Sequence, residues 1–259
     1  MEMAEHLVLL VVAVVANLLS AMAGGGAGLL QLPALIFLGL PFSMALATHK
    51  IATVALGLGA TVKHSREKHL RLKFALFILA TGLPGVLVGA KVILSVPDNI
   101  AKITLGVLTI ALGVYSHFKK ELGQVLLEKN RHARGMLIGG VVLFIIGFIN
   151  GSLASGAGLL VTLWLVAWFG LDYKRAMAYT MILVGVFWNG TGALALALMT
   201  PVKWSWLPAL LVGSVIGGYC GTYVAIRYGN PFIKRIFEII TIVAGVSLIA
   251  NAMQGTSIN

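Results

Sequence analysis

Ala23-Gly24-Gly25-Gly26-Ala27-Gly28-Leu29-Leu30-Gln31-Leu32-Pro33 lies between two apolar runs, and Leu153-Ala154-Ser155-Gly156-Ala157-Gly158-Leu159-Leu160 echoes it in the second half of the chain. Gly26-Ala27-Gly28-Leu29-Leu30 and Gly156-Ala157-Gly158-Leu159-Leu160 are the same five letters, 130 positions apart. Glycine-interrupted apolar segments at matching positions of two halves point to a transporter's binding site.

The composition around this pair restricts the class. Of 259 residues, 59% are hydrophobic and 10% charged, and the mean hydropathy is +0.99. A water-soluble domain carries about a quarter charged residues. That deficit, with apolar runs of roughly 17 to 25 residues, specifies an integral membrane protein of helices. The net charge of +11 does not call for a nucleic-acid partner, because the basic residues sit in loops between apolar runs, where a cytoplasmic excess accounts for them. The one cysteine, Cys220, lies in an apolar run, which excludes disulfides and zinc clusters. Residues 7–15 followed by Ser20-Ala21-Met22-Ala23 imitate a signal peptide. Glu2 and Glu5 stand where basic residues belong, however, and the pattern recurs at 135–153, so a retained first helix is expected.

Apolar segments fall near 6–23, 27–41, 44–62, 73–94 and 100–117, then near 135–152, 157–170, 175–199, 205–226 and 232–253. The organisation is therefore a membrane repeat at 1–117, a basic linker at 118–134 and a second repeat at 135–259. The halves align beyond the glycines. Gly39-Leu40 matches Gly170-Leu171, Ala45-Leu46-Ala47 matches Ala176-Met177-Ala178, and Gly85 and Gly89 match Gly217 and Gly221. Offsets drift only from 130 to 132, the mark of a duplication. With five segments per half, the repeats are expected to be inverted relative to each other. Ten crossings then place Lys63, Arg66, Lys68, Arg71 and Lys73, the linker's Lys119, Lys120, Lys129, Arg131 and Arg134, and Lys174, Arg175, Arg227, Lys234 and Arg235 on the cytoplasmic side, 15 of the 19 Lys and Arg. Segments 2 and 7 are short for a crossing of about 20 residues and are expected to be partly unwound at their glycine ends.

Three groups of residues can carry chemistry. Glycine tracts let backbone N–H groups converge on a ligand. If Gly28 and Gly158 open helices, Gly24, Gly25, Gly26, Gly28, Gly156 and Gly158 frame an anion site at two positive helix ends; the competing reading is close helix packing. Lys50, after Thr48-His49, is the one Lys or Arg well inside an apolar run. No Asp or Glu lies mid-span to pair with it, so either the substrate is its counter-ion or it snorkels to the headgroups. His49 is either a proton carrier or a hydrogen-bonded side chain. The third group is neutral and polar: Asn17, Ser20, Gln31, Asn150, Ser152, Ser155, Tyr179, Thr180 and Asn189. Ser20 aligns with Asn150, and Thr48-His49 with Tyr179-Thr180. Such donors suit an oxyanion that must also leave, or else serve as interhelical hydrogen bonds. Of these groups, Gln31, Thr48, His49, Lys50, Asn150, Ser152, Ser155 and Asn189 join the six glycines as the candidate site.

No HExxH, Walker loop, nucleophile elbow or pair of intramembrane aspartates occurs, so no catalytic residue, metal or cofactor is assigned. Asp98 with Lys102 and Lys234 with Glu238 have i,i+4 spacing and are expected to be surface ion pairs, and the linker charges a solvated or headgroup-facing stretch.

Gly24-Gly25-Gly26-Ala27-Gly28, Pro33, Gly39-Leu40-Pro41, Ala45-Leu46-Ala47-Thr48, Gly151, Gly156-Ala157-Gly158 and Asn189 resemble the sulfite exporter TauE/SafE family, also called the toluene sulfonate uptake permease superfamily. The resemblance covers nearly the whole chain. His49-Lys50 is similar to the polar–lysine pair of one subgroup, whose first member is usually asparagine. The resemblance implies permeation of small sulfur-containing anions such as sulfite, sulfonates or sulfoacetate across the bacterial inner membrane, with a proton or sodium as a possible coupling ion. The expectation is an all-α inverted-repeat secondary transporter working by alternating access. A passive anion channel and a membrane enzyme or assembly subunit with a buried polar cluster are its rivals. Lipid-facing and partner-facing surfaces share composition, so the sequence assigns no oligomeric state.

Overall fold

A computed structural model describes residues 2–64, 70–92, 98–118, 122–152 and 156–255, all of them in helices or connections with no strand. The helices are α1 (Glu2–Ala23), α2 (Gly28–Phe37), α3 (Phe42–His64), α4 (Leu72–Val92), α5 (Asp98–Phe118), α6 (Ala133–Ser152), α7 (Ala157–Ala167), α8 (Tyr173–Tyr179), α9 (Asn189–Ala197) and α10 (Leu207–Gly255). A π-helical stretch, Thr180–Trp188, joins α8 to α9 as one continuous span. Non-helical φ/ψ at Gly229 (φ 77°, ψ −171°), followed by Pro231, break α10 into two arms, 207–228 and 230–255. Among the described residues six helices are long and apolar enough to cross a membrane, and the chain is a multi-pass membrane protein.

The two short segments have a local cause. At 10 and 11 residues, α2 and α7 each span only about 15 Å, half the roughly 30 Å hydrocarbon core. Each begins beside a glycine tract and ends at a left-handed glycine, Gly39 (φ 97°) and Gly170 (φ 69°), conformations that cost a side-chain-bearing residue more. Leu40 N–H reaches back to Leu35 O, and Leu171 N–H to Leu165 O, so both stops use equivalent residues of the two halves.

The halves interlock through equally equivalent contacts. α1 packs along the first arm of α10, and α6 along α4. A Cβ on Gly217 would meet Val14 O and Leu18 N, and one on Gly85 would meet Phe144 O and Phe148 N. Val14 and Leu18 lie 130 positions before Phe144 and Phe148, so the same crossing is built twice. Backbone approach this close needs glycine on one side, which is what small residues supply in membrane helix packing. α5 packs on the second arm of α10.

One expectation is corrected here. Lys234 and Glu238 do pair (2.8 Å), but with side chains only 11% and 15% exposed. Ser116 bridges them, Lys234 Nζ donating to its carbonyl and Glu238 Oε1 accepting from its hydroxyl at 2.9 Å, because α5 covers that face of α10. The side chains of Asp98 and Lys102 lie outside the described residues. In the linker, Glu128 and Lys129 are exposed as expected and Lys119, Lys120 and Glu121 lie outside the described residues, but its main chain is bound. Residues 122–134 lie as a strap across the turn between α7 and α8, with Leu127 N–H donating to Gly170 O, Lys129 N–H to Phe169 O, Tyr173 N–H to Gly123 O and Asn130 Nδ2 to Trp168 O. Arg131 stacks 3.7 Å from the centroid of Phe74, and burial lowers its pKa from the usual arginine value, with Glu128 opposing. The strap pairs its unsatisfied backbone groups with those of the turn, which a free loop at this depth leaves to water.

Candidate functional site

The two glycine tracts meet. A Cβ on Gly25 (φ 144°) would lie 2.6 Å from Gly158 C and from Leu159 N, so backbone rests on backbone at the crossing. Gly24 and Gly26 also have positive φ (84° and 100°), turning the chain out of α1 and back into α2. Beside the crossing is a small cavity of about 30 Å³. Its walls are Ser20 from the end of α1, residues 25–28, Thr53 and Leu56 from the middle of α3, Asn150 from the end of α6, Gly156 and Gly158 at the start of α7, and Thr180, Met181, Val184, Gly185 and Asn189.

Three features set the electrostatic character of this cavity. Neither α2 nor α7 has a side-chain cap at its N-terminus, and Gly28, Gly156 and Gly158 at those ends line the cavity, so uncapped positive dipole ends lie beside it. Among the described residues no carboxylate lines it. Ser20 Oγ, on a residue only 2% exposed, has no partner among the described residues, a buried donor of the kind that calls for a ligand or water.

Lys50 stands directly behind the wall. It is 1% exposed, so it does not snorkel; its Nζ donates to the backbone carbonyl of Asn150 and to Asn150 Oδ1 (3.1 Å). Asn150 Nδ2 in turn donates to Asn189 Oδ1 at 3.2 Å. The cation thus sits at the C-terminal end of α6, whose free carbonyls and negative dipole end, with the Asn150 carboxamide, are a partner that carries no formal charge. This resolves how the lysine is held without an acidic residue, and it leaves the positive charge one amide away from the cavity.

The π-helical stretch carries the opposite wall. Its wider turn sets Thr180, Met181, Val184 and Gly185 on one side, and Gly57 of α3 crosses it so closely that a Cβ there would lie 2.5 Å from Gly185 C. π-turns cost helix geometry and are found mostly at functional sites. Thr162 Oγ1 lies 2.9 Å from Thr180 Oγ1 and donates to Gly24 O at 2.7 Å, pinning the first tract to α7 from behind.

The candidate residues therefore divide. Gly25, Gly26, Gly28, Asn150, Gly156, Gly158 and Asn189 are brought to the cavity, with Lys50 as the group behind Asn150. Gly24 faces Thr162. Gln31 turns to Asn17, its Oε1 accepting from Asn17 Nδ2, which also lies 2.9 Å from Ser214 Oγ. Thr48 Oγ1 donates to Met44 O and accepts from Lys203 N–H, a tie to the loop before α10. His49 is buried and is not a wall residue. Ser152 Oγ returns to Phe148 O of its own helix. Ser155 lies outside the described residues. Thr53, Thr162 and Gly185 escaped sequence reading, since a threonine or glycine in an apolar run carries no signal of which face it occupies.

The family model described as "Sulfite exporter TauE/SafE" matches residues 9–248. A probable membrane transporter protein of Haemophilus influenzae is 28% identical, the alignment covering 90% of each chain. A probable membrane transporter protein of a Sinorhizobium species is 28% identical over 96% of this chain and 95% of its own. A third, from Bacillus subtilis, is 22% identical over 95% and 97%. No solved structure matches significantly.

Proposed function

We propose that this chain, which belongs to the sulfite exporter TauE/SafE family and is a membrane transporter, carries small sulfur-containing oxyanions across the bacterial inner membrane, binding them in the cavity between the N-termini of α2 and α7. The observation that carries the reading is the composition of that wall: uncapped helix N-termini, a free buried hydroxyl and two carboxamides, with no carboxylate and a lysine one residue behind. Neutral donors bind an oxyanion without holding it as a salt bridge would, so release stays fast. Sulfite and short organosulfonates present the matching compact group of acceptor oxygens.

Alternating access is the movement that the duplication supports. The α1–α10 and α4–α6 interfaces are equivalent glycine-lined surfaces, and in an inverted repeat they can exchange roles as the halves rock about the cavity. The basic loops face the cytoplasm on this reading.

The test is saturable flux of labelled sulfite and of a short organosulfonate into protein-only liposomes, with counterflow by unlabelled anion on the opposite side. Saturation with counterflow is expected for the wild type, and loss of affinity for Ser20→Ala. Flux that is linear in concentration and shows no counterflow would convert the carrier into a channel. Absence of any sulfur-anion flux in a folded preparation would remove the substrate class.

A further inference from the structure

The cavity between the glycine tracts is not uniform along its length. Two of its walls, the middle of α3 and the π-helical stretch with the start of α9, run past each other in opposite directions. A Cβ on Gly192 would lie 3.4 Å from Lys50 Cδ, one on Gly190 4.0 Å from Val54 Cγ2, and one on Gly57 2.5 Å from Gly185 C. The carboxamides gather towards the first of these contacts, where Asn150 meets Asn189 with Lys50 behind. Towards the last, the wall is made by Leu56, beside Gly57, and by Met181 and Val184, before Gly185. All three are buried, and none carries a side-chain hydrogen-bond donor.

The wall threonines do not make up the deficit. Thr180 Oγ1 donates to Ala176 O at 3.0 Å, and its methyl carbon Cγ2 faces the start of α7, 3.6 Å from where a Cβ on Gly158 would stand. Thr53 Oγ1 donates to Lys50 O at 2.8 Å. A hydroxyl has one proton to give, so both are engaged by main-chain carbonyls.

The duplication makes this contrast sharper. Met181 stands 131 positions after Lys50. The first repeat has its cation at this position, held by Asn150, and the second has a thioether in the cavity wall. The cavity therefore has one polar pole and one apolar pole where an exact repeat would give two equal ones.

The anions that this cavity can hold differ at one position. Sulfite is a pyramid, with three oxygens on one side of sulfur and an unshared electron pair on the other. A sulfonate carries carbon at the position of that pair, and sulfate carries a fourth oxygen. A cavity of about 30 Å³ has room for about two or three water molecules, so a compact oxyanion spans it from pole to pole. With three oxygens towards the donors, the fourth position meets the apolar pole. An unshared pair on sulfur needs no partner there, whereas an oxygen would be desolvated without a hydrogen bond.

We propose that Met181, with Leu56 and Val184, forms the specificity-determining surface of the site and selects sulfite over sulfate by denying a fourth oxygen any donor. The inference rests on the anion-binding reading of this cavity. Discrimination against an added polar group in an apolar wall amounts to about tenfold to a hundredfold.

Competition isolates the fourth oxygen from charge, because at alkaline pH sulfite and sulfate are both dianions. Flux of labelled sulfite into proteoliposomes is measured against unlabelled sulfite and against sulfate. In the wild type, sulfate should inhibit at least about tenfold more weakly than sulfite. Met181→Gln keeps the length of the side chain and adds an N–H donor, so the ratio of the two inhibition constants should fall about tenfold. Val184→Thr, close to isosteric, should lower the ratio too and keeps the test available should Met181→Gln misfold. A general loss of folding or turnover lowers the flux and leaves the ratio where it was. Sulfate competing as well as sulfite in the wild type would overturn the inference and leave the anion site standing, as would a ratio unchanged in both folded variants. Absence of sulfite flux and of any sulfite-dependent rise in Tm would remove the anion reading itself, and this inference with it.

Discussion

Replacing Lys50 by methionine separates the charge of the site from its packing, because the two side chains have similar length and volume. The Nζ lies 3.1 Å from Asn150 Oδ1, and an anion accepting from the far side of that carboxamide adds about another 5 Å, the width of the amide and the length of one hydrogen bond. At about 8 Å and an effective dielectric constant of about 20, one unit charge attracts another by about 2.1 kcal/mol, close to thirtyfold in affinity. The assay is initial-rate uptake of labelled sulfite into proteoliposomes, with the amount of monodisperse protein matched. KM should rise about thirtyfold per unit of anion charge in Lys50→Met, and Lys50→Arg should recover most of the affinity. The fold should survive, since loss of the two hydrogen bonds to Asn150 is offset by no longer burying a cation. An unchanged KM in folded Lys50→Met would refute the electrostatic role and reduce Lys50 to a tie on the end of α6.

Two further outcomes follow from the backbone and from the second ion pair. Gly25→Ala combines positive φ with a Cβ 2.6 Å from the Gly158 backbone, whereas Gly39→Ala has positive φ (97°) and nothing within 4 Å; thermal unfolding should show a loss of about 1–2 kcal/mol for Gly39→Ala and a larger one, with flux abolished, for Gly25→Ala. Equal losses would mean that the tracts do not bear on each other. Glu238→Gln removes the negative charge beside the buried Lys234 ammonium, which keeps its bonds to Ser116, and should cost about 3 kcal/mol, while Arg71→Gln, which breaks a pair whose arginine side chain is 70% exposed, should cost less than about 1 kcal/mol. Chemical denaturation of the detergent-solubilised variants ranks the two.

The fold was legible because its main constraints act on composition and period. Apolar length marked the helices, of which six rather than the expected ten are long enough to cross among the described residues, and the repeated Gly-Ala-Gly-Leu-Leu marked the two matching glycine tracts. The paired glycines at 85, 89, 217 and 221 marked the helix contacts that the structure builds. The convergence of Gly25, Gly28, Gly156 and Gly158 with Asn150 and Asn189 was legible for the same reason. What escaped depended on partners distant in sequence. Lys50 finds its acceptors in the carbonyl and carboxamide of Asn150, a hundred residues away in sequence, and a carbonyl has no letter of its own. Thr48 looked like its neighbours His49 and Lys50, but one residue is about 100° of helix, enough to turn it to Lys203 N–H. The strap at 122–134 reads as a charged loop, since its binding to Phe169 and Gly170 is made by main-chain groups.

Backbone and side chains follow different symmetries, and the difference bears on direction. The glycine contacts are reproduced at offsets of 130 to 132, so both halves present nearly the same surfaces for movement. The side chains in and beside the cavity are not reproduced. Lys50 corresponds to Met181, Asn150 to Ser20, Asn17 to Gly147 and Gln31 to Val161. A site with fully repeated side chains would offer an anion the same field from either face. Here the lysine charge lies behind the wall formed by the second repeat's Asn150, and the unpartnered hydroxyl comes from the first repeat's Ser20. Movement that exchanges equivalent backbone surfaces would therefore present an unequal set of charges to the two sides. Backbone equivalence allows the exchange, and side-chain divergence supplies its asymmetry.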